Sequence, residues 1–122
     1  MAALGYNGNS QLKKINEAIS WDKDLVDEYT KCRDDILYFA STYIKIISVD
    51  DGVIPLHAYD YQKKILEVIA NNRNVVGRVG RQTGKTTIVM VYLLHYILFN
   101  ESKTVGLLAH KKSGAVEVLD RL

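Results

Sequence analysis

Little in these 122 residues suits a secreted, metal-binding or repetitive protein. The one cysteine, Cys32, cannot close an internal disulfide, which fits a reducing compartment. A helical structural cysteine is the simplest account of it. The one proline and the lack of low-complexity tracts argue against a linker or a disordered tail. The three histidines, His57, His95 and His110, lack metal-ligand spacing. Residues 1–10 have neither a basic start nor an apolar core, so no secretory leader is expected. The longest apolar run, residues 88–99, falls short of the roughly 20 residues that span a bilayer. A buried helix explains it better, and no membrane partner is expected.

What is present is an ordinary globular composition, 48% hydrophobic and 25% charged. The net charge of +2 conceals an asymmetry. Residues 1–60 carry 6 basic and 10 acidic side chains, hence −4, and residues 61–122 carry 10 and 4, hence +6. A basic half suits a nucleotide or a nucleic acid, although solvated lysines such as Lys63, Lys64, Lys111 and Lys112 fit a plain surface equally well.

Leu12, Ile15 and Ile19 are spaced for a short helix, and the polar stretch over residues 21–31 is expected to be helical too. Ile36, Ala40, Tyr43, Ile44 and Ile47 share one face of a predicted helix over residues 34–47. Asp50, Asp51 and Gly52 form a predicted turn, and Pro55 lies in an extended or loop segment. A helix over 59–71, closed by Asn71 and Asn72, carries Ile65, Leu66 and Ile69 on its apolar stripe. Strands are expected over 74–79 and 104–109, with a helix over 85–99 between them. Ser113 is expected to cap a last helix whose face holds Val116, Leu119 and Leu122. Strand, crossover helix and parallel strand begin an α/β sheet.

The most informative stretch is residues 74–87, NVVGRVGRQTGKTT. An apolar run enters a glycine-containing turn, and Gly84-Lys85-Thr86 opens a long helix. That order makes a phosphate-binding loop for ATP. Backbone N–H groups of residues 81–86, including Gln82, Thr83 and Gly84, surround the phosphates in this reading. Lys85 supplies a point charge, and the Thr86 hydroxyl, next to Thr87, meets Mg²⁺. The spacing G-x-x-x-x-G-K-[ST] asks for glycine at position 79, where Val79 stands, and Gly80 comes one residue late. A turn joining strand to helix without any ligand is the plainer account of the same triplet.

Gln62 falls on the apolar stripe of its helix. Its amide pairs a donor with an acceptor, which complements the N6 and N7 edge of adenine. The alternative is a glutamine bonded to nearby backbone. A motor ATPase also needs an acidic residue at the end of a second strand to hold Mg²⁺. Glu101, Glu117 and Asp120 are the only acids after Lys85, and none follows an apolar strand. The expectation is therefore an incomplete ATPase domain that binds ATP without turning it over.

Three blocks carry a family resemblance: Tyr61-Gln62-Lys63-Lys64-Ile65-Leu66, Arg81-Gln82-Thr83-Gly84-Lys85-Thr86-Thr87 and Gly106-Leu107-Leu108-Ala109-His110-Lys111. With residues 36–39, 43–46 and 51–52 they resemble the N-terminal part of the large terminase subunit of tailed bacteriophages, over roughly residues 31–122. The family shares the displaced first glycine. The resemblance implies an α/β fold: N-terminal helices over 1–58, then the start of a P-loop NTPase parallel sheet over 59–122. It implies the ATPase that drives double-stranded DNA into a capsid, with ATP and Mg²⁺ as cofactors, in the host cytoplasm. Portal protein and the small terminase subunit are the implied partners. Gln62 matches an adenine-contacting glutamine; Gly84, Lys85 and Thr86 match the phosphate loop. Arg81 matches a loop arginine acting in cis on the γ-phosphate, so Arg81 and Lys85 are the expected catalytic residues. Arg78 has no matching role. The family's nuclease domain has no counterpart in these residues. A superfamily-two helicase or restriction-type translocase is the competing enzyme reading. A non-catalytic packaging interaction module is the third.

Overall fold

A computed structural model describes residues 14–16, 18–48 and 50–120. Leu12 and Leu122, both given places on apolar faces above, lie outside the described residues. The architecture is mixed α/β, with five helices and one small antiparallel sheet among the described residues.

Two helices stand where two were predicted, over 21–31 and 34–47, but the second is shorter than predicted and gives way to a strand. Helix α1 (Lys23–Asp34) begins at Asp22, whose carboxylate accepts from the Leu25 N–H at 2.8 Å. Asp35 ends α1 and caps α2 (Ile36–Tyr43), accepting from the Leu37 and Tyr38 N–H groups at 2.9 and 3.0 Å. A short acidic side chain that bonds the following backbone favours exactly such a break over helix continuation. After Tyr43 the β-branched residues Ile44, Ile46 and Ile47 pull the chain into strand β1 (Lys45–Ser48). β1 pairs antiparallel with β2 (Gly52–Pro55), with Ile46 opposite Ile54 and Ser48 opposite Gly52. The turn at Asp50 and Asp51 forms as predicted, and Gly52 takes the left-handed φ of 72° that closes it. Ile15 lies in a turn and Ile19 in irregular chain, so the short helix expected there is not seen at either residue.

Helices α3 (Asp60–Asn71) and α4 (Lys85–Phe99) match their predicted spans closely. Asn71 and Asn72 donate to the Glu67 and Val68 carbonyls, both at 2.8 Å, and Asn100 does the same for Tyr96 at 2.9 Å. These amides donate to carbonyls of the last turns, where the helix ladder runs out. Helix α5 (Lys112–Asp120) starts one residue before Ser113. The Lys111 carbonyl, not a Ser113 cap, opens it, accepting from the Gly114 N–H at 3.1 Å. Its half-buried positions are Gly114, Ala115 and Val118, while Val116 and Leu119 face outward, so the buried face is rotated from the predicted one.

The core joins both halves of the chain. Ala40 of α2, Leu56 after β2, Leu66 of α3 and Ile88 and Val91 of α4 form one buried cluster. Leu66 and Ile88 are fully enclosed. Burying a side chain of this size contributes roughly 1.5–3 kcal/mol. That packing fixes α3 against α4, and so fixes the start of α3 beside the turn that leads into α4.

The predicted strands over 74–79 and 104–109 form no ladder, and no parallel sheet is present among the described residues. Val75, Gly77 and Val79 line a hollow of about 510 Å³ together with Leu107 and Ala109, while Val76 stands 99% exposed. The side-chain alternation of a strand is present without a bonded neighbour on either edge. Apolar pattern selects the side-chain direction, but a ladder needs a second strand at bonding distance. Among the described residues no helix is long and apolar enough to cross a membrane.

Candidate phosphate-binding loop

Residues 80–84 form a tight turn stapled on the Gly80 carbonyl. The Thr83 hydroxyl donates to it at 3.0 Å and the Lys85 ammonium at 3.1 Å. Two residues take left-handed backbone, Gln82 with φ 59° and Gly84 with φ 70°. For Gly84 this costs nothing, whereas a side chain there is strained. Gly84 then serves as the N-cap of α4, and its carbonyl accepts from the Ile88 N–H at 3.1 Å. No side chain caps this end. The first N–H groups of α4, at Lys85, Thr86 and Thr87, therefore carry the helix's positive partial charge with no intrahelical partner.

The predicted site residues divide by exposure. Arg81, Gln82, Gly84 and Lys85 are exposed, and Thr83, Thr86 and Thr87 are half-buried. All are brought together at one end of α4. Lys85 and Thr86 also border the 510 Å³ hollow beneath the loop. A lysine folded back over its own loop, an uncapped helix start and a glycine that lets backbone come close are the parts an anionic phosphate group requires.

Gln62 arrives from α3 and is only 6% exposed. Its amide oxygen accepts from the Tyr59 N–H at 2.9 Å, and its amide nitrogen donates to the Thr83 carbonyl at 3.2 Å. This is the backbone-bonded alternative raised for the sequence. Each amide atom keeps capacity for one more bond, which is what an adenine edge needs.

Tyr61 was given no role by its sequence alone. Its hydroxyl donates to the same Thr83 carbonyl at 2.8 Å, and its ring stacks on Tyr59 with centroids 5.8 Å apart. Both rings are substantially exposed beside the loop. The available signal was the Tyr-x-Tyr-Gln pattern at a helix start, where aromatic rings two apart flank the turn instead of entering the core.

Among the described residues no group of three or more His, Cys, Asp or Glu side chains is placed to hold a metal ion. Thr86 is the residue whose hydroxyl stands nearest in sequence to the lysine for such a role. Compared with models of known protein families, the chain matches none.

Proposed function

We propose that the loop over residues 80–87 binds the phosphates of ATP and that the chain is the ATP-binding part of a DNA-packaging motor of the large-terminase type. The observation that carries the nucleotide reading is Lys85 held on the Gly80 carbonyl across a turn that ends in left-handed Gly84 at the uncapped start of α4. A phosphate oxygen can replace the Gly80 carbonyl as the lysine's partner, with first-turn N–H groups of α4 completing the shell. Thr86 is the candidate Mg²⁺ ligand, and the bound Mg–ATP supplies the charge and the scissile phosphoanhydride. Arg81, exposed in the loop, is the candidate for compensating charge at the γ-phosphate. Gln62 and the Tyr59–Tyr61 pair border the side from which a base can approach. The motor assignment rests on the three sequence blocks that resemble large terminase subunits. Double-stranded DNA, portal protein and the small terminase subunit are proposed partners on the same ground.

Calorimetric titration of the 122-residue chain with Mg–ATP tests the nucleotide reading. Saturable one-site binding that Lys85→Ala weakens at least about tenfold is expected, since a charge-assisted phosphate contact is worth about 1.5–3 kcal/mol. Absence of binding by a chain whose circular dichroism is helical would end it. A DNA-stimulated ATPase assay on a full motor carrying these residues tests the packaging assignment separately.

A further inference from the structure

Far from the phosphate loop, α1, α2 and the last turn of α4 enclose a groove of about 440 Å³. Its walls are aromatic. Trp21 meets Tyr29 edge-on with centroids 6.0 Å apart, Tyr29 meets Phe99 at 5.1 Å, and Phe99 meets Phe39 at 5.6 Å. Trp21 and Tyr29 are 57% and 42% exposed, so large ring faces stay open to solvent. The scaffold beneath is tied together: the His95 ring Nε2–H donates to the Cys32 carbonyl at 2.9 Å, linking α4 to α1.

One carboxylate lies among these rings. Glu28 accepts from the Tyr38 hydroxyl at 2.9 Å and from the Tyr43 hydroxyl at 2.9 Å, with the Cys32 thiol 3.8 Å away. All three donors are neutral, so the carboxylate is oriented but its charge is not cancelled. Lys31, the near cation on α1, rests 3.8 Å over the Tyr38 ring, from where its charge only partly offsets the carboxylate. The surrounding segment reinforces the sign: residues 22–35 hold six acidic and three basic side chains, a net −3.

An apolar groove with a fixed, only partly offset anion selects against acidic and purely apolar occupants. The first meets repulsion, and the second desolvates the carboxylate without bringing a cation to it. A guanidinium satisfies both walls at once, lying flat on aromatic faces while its fork donates to the carboxylate. We propose that this groove is a docking site for a segment of a partner protein that presents an arginine flanked by apolar side chains, the guanidinium resting on Trp21 and Tyr29 beside Glu28. The site is independent of the nucleotide reading.

Trp21 is the only tryptophan in the chain, so its emission reports on the groove directly. The probes are two synthetic amphipathic helical peptides with identical leucines, one bearing arginines and the other glutamates on the flanking positions. The expected result is a saturable change of Trp21 emission with the arginine peptide, at least about tenfold weaker with the glutamate peptide, and diminished by rising salt. Glu28→Gln, which keeps the shape and removes the charge, should weaken the arginine peptide about fivefold or more. If Glu28→Gln does not fold, Tyr29→Leu, which removes one ring face and keeps the carboxylate, should weaken it at least about threefold. Equal affinity for the two peptides, or no saturable response, overturns the proposal. So does a Trp21 emission change that follows protein concentration together with dimer formation in sedimentation, because the occupant is then a second copy of the chain.

Discussion

The Gln62 amide nitrogen donates to the Thr83 carbonyl at 3.2 Å, joining the first turn of α3 to the loop that leads into α4 across 21 residues of sequence. With its oxygen on the Tyr59 N–H, the side chain spans from helix start to loop while 6% exposed. Removing it leaves two backbone groups without these partners. Gln62→Ala is therefore expected to lower stability by about 1–3 kcal/mol, read as a shifted urea midpoint. Nucleotide binding by the same variant separates two roles. Loss of affinity in equal measure for ATP and GTP marks an anchor of the loop. Selective loss for ATP marks adenine contact, because guanine offers an acceptor where adenine has its amino donor. The bonds already made favour the equal loss.

Gly84 faces that same amide. A Cβ built on it meets the Gln62 Nε2 at 2.7 Å, and its φ of 70° is strained for any residue with a side chain. Gly84→Ala should cost about 1–2 kcal/mol from the left-handed backbone alone. The contact adds to that cost and couples the two positions. In a double-mutant cycle, Gly84→Ala should be less damaging on a Gln62→Ala background, since the obstructing atom is gone. Strict additivity of the two unfolding free energies would show that the contact relaxes freely.

How much was legible from sequence varies with how local the cause is. Helices α3 and α4 and the turn between them follow from periodicity, terminal asparagines and the Gly-Lys step, all visible within a few residues. The break at Asp35 was legible in principle, because an aspartate two and three residues before Leu37 and Tyr38 is a capping signal. The sequence places that break within a few residues, between predicted helices over 21–31 and 34–47, whereas the apolar spacing of Ile36, Ala40, Tyr43, Ile44 and Ile47 hid the end of the second helix at Tyr43. The β1–β2 hairpin was hidden because Ile44, Ile46 and Ile47 fit either period over so short a run. Ladder formation over 74–79 and 104–109 depends on which strands are neighbours, and that is not a local property. At the site, the clustering of residues 80–87 was readable from chain order alone, but the arrival of Tyr61 and Gln62 on the Thr83 carbonyl was set by core packing of Leu66 against Ile88.

Lys85 and Arg81 should separate in paired binding and turnover measurements. Lys85 already spans the loop to Gly80, so in the proposed function it is the ground-state phosphate ligand. Lys85→Ala should lose ATP affinity and turnover together. Arg81 is exposed at the turn. In a full motor carrying these residues, Arg81→Ala should bind ATP nearly normally and hydrolyse it about a hundredfold more slowly or worse, as expected when a group acts only on charge developing in the transition state. Equal losses of affinity and rate would instead make Arg81 a ground-state ligand or a loop-folding residue.

Glu28 and Tyr43 supply a pH test of the second groove's scaffold. The Glu28 carboxylate beside its hydroxyl pushes the Tyr43 phenol up to about 12, with partial burial adding in the same direction. In turn the Tyr43 hydrogen bond, then the Tyr38 one, holds Glu28 below its ordinary value of 4.5. The two shifts bound one window. Tyr43 has a raised folded value, so its contribution to stability is complete below its ordinary value of 10 and is lost as pH climbs through about 12. Glu28 has a lowered folded value, so its contribution is complete above 4.5 and is lost as pH falls through the lowered value. Phenolate absorbance should show one of the eight tyrosines ionising late, near 12. Glu28→Gln should return that tyrosine toward 10 and flatten the alkaline stability loss that accompanies it. A late tyrosine that persists in Glu28→Gln would place the cause in burial, and in a hydrogen bond the glutamine oxygen can still accept, and not in the carboxylate's charge.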